Sequence, residues 1–188
     1  MPWIRTISPE DAEGRLAEAY GWQAQRLGRP TEFTQLGSLE PELVHARLAL
    51  YKASENTSSG LTDRQRNLAG HVTSVVNHTP HCTSRSRIKL HELGFSTEQL
   101  EAVEALDFSG LDPAEAAVAR YAEKLTADPG ALSETDIEAL RQAGLDDHQI
   151  LDVNNQVAHL NYTNRVANGL GLLTEVDADF PAFDTVPV

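Results

Sequence analysis

Residues 151–172 read "LDVNNQVAHLNYTNRVANGLGL". Together with Ile150, the apolar residues Val153, Val157 and Leu160 recur at the three- and four-residue steps of one helix face, and Val166 adds a further core-like position. The pattern predicts a long helix from about Asp147 to Gly169 or Leu170. Asn154, Asn155, Asn161, Asn164 and Arg165 give this helix an unusual polar load. Buried amides need partners, and Arg165 is expected to cross-link helices or a subunit interface through a carboxylate. The other use of such residues is to line a small-molecule pocket. His159 and Tyr162 fit either use.

Working outward, nearly every other segment also reads as helix. The stretch from Ser8 to Gly28 carries Ala12, Leu16, Ala19, Tyr20 and Leu27 near helical spacing, with Gly28 and Pro30 to stop it. The stretch 40–56 repeats the pattern through Leu43, Leu50 and Tyr51. Thr62 caps a helix that turns Leu68, Val72, Val75 and Val76 inward. Pro80 opens the next, which ends at Gly94. Ser96 and Gln99 form a capping-box pattern, Pro113 begins a helix that Asp128-Pro129-Gly130 closes, and Ser133 starts one that ends at Gly144. No alternating β-branched run is long enough for a sheet. The expected class is all-α, a single bundle-like domain over residues 1–174. The acidic tail 175–188 is expected to lie against the body or a subunit interface through Phe180, Phe183, Val186 and Val188.

The chain has 188 residues and a formal charge of −13. That charge repels a phosphate backbone, so nucleic acid is not an expected partner. No window approaches the ~18 apolar residues of a spanning helix, so no membrane is expected. The opening "MPWIRTISPEDAEG" lacks the basic start and apolar run of a secretory signal. A single cysteine excludes an intrachain disulfide. The expected location is the cytoplasm.

That cysteine sits in "NHTPHCTSRSR", residues 77–87. Cys82 follows a helix-opening proline and precedes Arg85, Arg87 and Lys89, a patch able to lower a thiol pKa or attract a small anion. A solvated helix face explains the same patch equally well. Cys82 is read either as a reactive thiol or as a small buried residue without redox work. His71, His78 and His81 are weak metal candidates, and surface or structural roles compete with that use. No metal and no cofactor is expected. His78 and His81 are candidate bases beside Cys82. No "G-x-S-x-G" frame supports a serine nucleophile, and no glycine-rich phosphate loop is present.

Two stretches carry a family resemblance. Asn161, Asn164, Arg165, Ala167, Gly169, Leu170 and Gly171 match the "F-N-x-x-N-R-x-A-x-G-L-G" run of the peroxidase-related branch of the alkylhydroperoxidase D (AhpD) and carboxymuconolactone decarboxylase superfamily. The aromatic position is held by Leu160. The region "AVARYAEKLTADPGALSETDIEALRQAGLDDHQILDV" resembles the same branch's penultimate part.

The resemblance implies an all-helical homo-oligomer and a redox site of the form Glu, eleven residues, Cys-x-x-Cys, three residues, His. In such a site a thiolate attacks a hydroperoxide, the second cysteine resolves the sulfenate, and the acid and imidazole relay protons. Laid onto this chain, the glutamate position is Asn67, the first cysteine is Thr79, the second is Cys82 and the histidine is Ser86. Only the second thiol remains.

The expected activity is therefore that of a peroxidase-type, antioxidant oxidoreductase with a degenerate motif, weak, one-cysteine or lost. Its partners would be a small hydroperoxide and an external thiol reductant. The alternative is a non-catalytic oligomeric scaffold for a small ligand or a protein partner. Decarboxylase-type or metal chemistry is the less favoured third.

Overall fold

The computed structural model describes residues 2–176. Several of its helices start where short polar side chains satisfy their first amides. Thr62 and Gln65 bond each other's backbone N–H groups to open one helix, and Ser96 with Gln99 and Asp146 with Gln149 repeat the device. Asp112 caps another by accepting from the amides of Ala114 and Glu115.

After a 3-10 turn at Pro9–Asp11, the described residues form α1 Gly14–Leu27, α2 Glu32–Leu36, α3 Pro41–Glu55, α4 Asp63–Val76, α5 Pro80–Glu92, α6 Thr97–Glu104, α7 Pro113–Ala127, α8 Glu134–Gln142 and α9 Asp147–Gly169. No strand occurs among them. The all-α expectation holds, and α9 has the predicted bounds.

Helix α4 is the hub, packed against α5, α7 and α9. Leu68, Ala69 and Val72 of α4 meet Leu90, Leu100, Val103, Val118, Ala122, Val153 and Val157 in the main core. The N-terminal helices form a separate layer, in which Ala19 of α1 packs on Val44 and Leu48 of α3. Phe33 and Leu36 of α2 join this layer to Ala167 and Leu172 at the end of α9. There Gly171 adopts φ +78°, and an added Cβ would fall 2.5 Å from the Trp3 ring. Trp3 donates its amide to the Leu170 carbonyl at 2.9 Å, so glycine serves both the left-handed turn and the ring packed on it.

Three expectations need correction. Leu43 and Leu50 do not face the core of α3; each is 54% exposed. The buried face is Val44, Arg47 and Leu48, with the Arg47 guanidinium 4.3 Å over the Phe33 ring. Among the described residues Arg165 meets no carboxylate and does not cross-link helices. It is exposed and donates back to the Asn161 carbonyl at 3.1 Å and to the Asn161 side chain. The short helix α2 was not foreseen. The expected tail contacts at Phe180, Phe183, Val186 and Val188 lie outside the described residues. Of the tail's first residues, Val176 donates its amide to the Ser84 hydroxyl at 2.9 Å, laying the chain across α5.

Candidate functional site

A cavity of about 230 Å³ lies between the N-terminal layer and the α4–α5–α9 body. Its wall includes Cys82, Asn67 and Ser86 together with His81 and Arg85. Three of the four positions that the redox pattern occupies therefore open on one space. Thr79 does not line it. As the N-cap of α5, Thr79 is buried and accepts a hydrogen bond from the Asn168 amide at 3.0 Å.

Cys82 is 9% exposed. Burial pushes its thiol up to about 12, and the opposing charge of Arg85, one turn on, does not reverse the shift. Of the uses weighed for the basic patch, lowering the thiol pKa is outweighed by burial. Arg87 is committed to Glu104 at 2.6 Å, and Lys89 lies 3.7 Å from Glu92. Burial pulls the Arg85 guanidinium down to about 10, so it stays charged at neutral pH.

The histidines separate cleanly. His78 is exposed on the turn between α4 and α5, at φ +52° and outside the cavity wall, so it is not the base beside Cys82. His71 is fully buried, with Nδ1 2.8 Å from the Ser86 hydroxyl and Nε2 3.5 Å from Glu104. Ser86 donates to the Cys82 carbonyl at 2.8 Å, which leaves its oxygen to accept from His71. An imidazole thus meets position 86 from the side, although position 86 carries none itself. His81 lines the cavity, and its Nδ1 donates to the Thr174 carbonyl at 2.9 Å. Its Nε2 is buried without a partner among the described residues, and burial lowers its pKa. Among the described residues no group of three His, Cys, Asp or Glu is spaced to hold a metal ion. His71, His78 and His81 accordingly do not form a centre.

Asn67 faces the cavity with its amide donated to the Asp63 carbonyl at 2.8 Å. It can neither accept nor release a proton at neutral pH, so the relay that a carboxylate would supply there is missing.

The rest of the lining holds residues that the redox pattern does not mark. Tyr51 of α3 stacks on His159 of α9 with centroids 4.2 Å apart, and its hydroxyl meets Thr163 at 3.0 Å. Burial pushes that phenol up to about 12. Ser54 lies 3.4 Å from His159 Nδ1. Phe33, Gly70 and Leu160 add apolar surface, and Arg66 enters from α4. Arg66 is held by Asp152 at 2.6 Å. A sequence signal existed for this part of the lining. Gln156, His159, Leu160 and Thr163 recur at helical steps on α9, a set separate from the amides noted above.

The α9 amides have mainly structural partners. Asn154 accepts from the Tyr121 hydroxyl at 2.9 Å, Asn161 accepts from Asn77 at 3.0 Å, and the fully buried Asn164 bonds Ser74 at 3.3 Å. These ties hold α9 to α4 and α7 and so fix the cavity's rear wall.

No family profile and no curated protein matches the sequence. Solved structures do. An uncharacterised peroxidase-related protein with an alkylhydroperoxidase AhpD core from Ralstonia eutropha JMP134 is similar at TM-score 0.82 and 20% identity, over 95% of this chain and 94% of that one. An uncharacterised peroxidase-related protein from Silicibacter sp. TM1040 is similar at TM-score 0.77 and 22% identity, over 95% and 91%. The debrominase Bmp8, with a cysteine changed to alanine and in complex with 2,3,4-tribromopyrrole, is similar at TM-score 0.72 and 16% identity, over 88% of each chain. The fold of this chain is the AhpD-like all-helical fold.

Proposed function

We propose that this chain is an AhpD-like, peroxidase-related oxidoreductase that has lost the dithiol cycle, and that Cys82 works alone on a small molecule held in the cavity. The observation that carries the reading is the meeting of Cys82, Asn67 and Ser86 on one cavity wall, with Thr79 outside it. The fold neighbours support the same reading. One of them holds a small halogenated ring with a cysteine removed, which fits a thiol as the working group.

The chemistry for one thiol balances as follows. The Cys82 thiolate attacks a hydroperoxide, the O–O bond breaks, and the alkoxide takes a proton to leave as alcohol. Cys82 becomes a sulfenic acid. An external thiol then displaces water to form a mixed disulfide, and a second external thiol releases Cys82 and departs as the oxidised disulfide. No internal thiol can resolve the sulfenate, because Thr79 has no sulfur. With the thiol near 12, the thiolate fraction at pH 7 is roughly 10⁻⁵. Turnover is slow.

That burial is the specific observation favouring a second reading, in which the oligomeric scaffold binds a small ligand without turnover. One experiment separates the two. The reduced protein is treated with cumene hydroperoxide and a sulfenate-trapping dione, with peroxide consumption followed under excess monothiol. Adduct on Cys82 and slow consumption that is lost in Cys82→Ser support the first reading. No adduct and no consumption leave the binding scaffold.

Among the described residues no helix is long and apolar enough to cross a membrane.

A further inference from the structure

The part of the cavity lining formed by α3 and α9 contains a chain of hydrogen bonds whose directions can be assigned. Thr163 donates its hydroxyl to the His159 carbonyl at 3.0 Å, so its oxygen receives the Tyr51 hydroxyl proton at 3.0 Å. Ser54 donates to the Tyr51 carbonyl at 3.0 Å, so its oxygen receives from His159 Nδ1 at 3.4 Å. The Nδ1–H tautomer of His159 follows, and its Nε2 is a bare lone pair. Stacking on Tyr51 at 4.2 Å fixes the plane of the ring. Burial, with the charge of Arg47 second, pulls this imidazole down to about 4, so it remains neutral at physiological pH. His159 lines the cavity, and no hydrogen bond to Nε2 from another described side chain competes for it.

We propose that His159 is a hydrogen-bond acceptor subsite, and that the cavity selects a small flat molecule carrying a neutral N–H or O–H donor, such as an azole, an indole or a phenol. The inference rests on reading this cavity as the working site. Size and composition favour such a ligand. The volume, about 230 Å³, falls below the ~300 Å³ at which sites for drug-sized ligands begin. Phe33, Tyr51 and Leu160 supply apolar and aromatic surface for a ring. A ligand with no donor would leave the Nε2 lone pair desolvated, which a site built on a polar group penalises more than a missing methylene. His159 is thus a specificity residue in the same cavity as the thiol.

The test uses two probes of nearly the same shape, indole and benzofuran, of which only indole has a donor. Calorimetric titration of the reduced protein is expected to show indole bound about tenfold tighter, the worth of one neutral hydrogen bond. His159→Phe keeps an aromatic ring beside Tyr51 and is expected to bind the two probes equally. Should that variant fold poorly, nitrogen-15 NMR of the wild-type protein gives the same answer. Indole should shift the His159 Nε2 resonance, and benzofuran should not. Equal affinities in the wild type, a preference that survives in His159→Phe, an unshifted Nε2, or no binding of either probe would overturn the proposal. The titrations repeated on Cys82→Ser should keep the preference. An intact preference beside absent thiol chemistry then defeats the one-cysteine reading alone, and a lost preference beside working thiol chemistry defeats this inference alone.

Discussion

His71 Nδ1 lies 2.8 Å from the hydroxyl of Ser86, which in turn donates to the backbone carbonyl of Cys82. Removing the hydroxyl leaves a fully buried ring N–H without its acceptor. Ser86→Ala should therefore cost about 1–3 kcal/mol, read as a lower urea midpoint at unchanged slope.

The same contact governs any attempt to rebuild the redox site. In Asn67→Glu/Thr79→Cys/Ser86→His, the new imidazole would compete with His71 for the space beside α5. Peroxide turnover by the dithiol cycle, faster than the parent's one-cysteine rate, is expected only after His71→Ala is added as well. A triple variant that turns over with His71 in place would show that position 86 has room for both rings.

Thr79→Cys alone should form a disulfide with Cys82, since residues three apart at a helix start can bring their sulfurs within bonding range. Thr79 accepts from Asn168 at 3.0 Å, and losing that bond should cost about 1 kcal/mol. Mass spectrometry of the folded, oxidised variant checks the pairing. Absence of the disulfide would place the redox register wrongly on this chain.

Cys82 should respond to pH as a buried acid. Its thiol ionises near 9 when unfolded and near 12 when folded. Above pH 9 the unfolded chain loses a proton that the folded chain keeps, so stability falls as pH rises from 9 towards 12, by about 1.4 kcal/mol per unit. Comparison with Cys82→Ala isolates this from lysine and tyrosine titration. The alkylation rate of the folded protein should likewise keep climbing beyond pH 9. A plateau below pH 9 would contradict the raised pKa.

Asp152 is buried and accepts from Thr57 at 2.5 Å, Ser59 at 2.6 Å and Arg66 at 2.6 Å. Burial opposes its ionisation, but these donors outweigh it and hold the carboxyl below its usual range. Arg66→Met would leave the charge buried with hydroxyl partners only. The expected loss is about 3 kcal/mol, and Arg66→Met/Asp152→Leu should recover much of it. Denaturant unfolding of the pair gives the coupling.

Helix identity was legible because its signals are local. Thr62, Ser96 and Pro113 each act on amides within one turn. Facing was less legible where apolar residues occupy both sides of a helix. Leu43 and Leu50 alternate with Val44, Leu48 and Tyr51 on α3, and periodicity cannot say which stripe turns inward. The structure gives the inner stripe to Val44 and Leu48 because Arg47 can lie across Phe33. Of the site, Cys82 and the substituted positions were visible through the family pattern. Tyr51, Ser54 and His159 were not seen as a unit, since their meeting depends on how the N-terminal layer docks. His78 shows the opposite failure. Proximity in sequence suggested a partner for Cys82, and a left-handed turn points it away.

The contacts that close the cavity join residues far apart along the chain. Tyr51 and Thr163 are separated by 112 positions, Ser54 and His159 by 105, and Ser54 and Gln156 by 102. Contacts of such span repay their loop-closure entropy only after most of the chain is ordered. The α4–α9 contacts span nearly as far, Ser74 to Asn164 by 90 positions, so wall and core mature together rather than by local steps. A cognate ligand, which can bind only the finished wall, would stabilise the whole folded chain and not the cavity alone, by an amount that grows with the logarithm of its concentration.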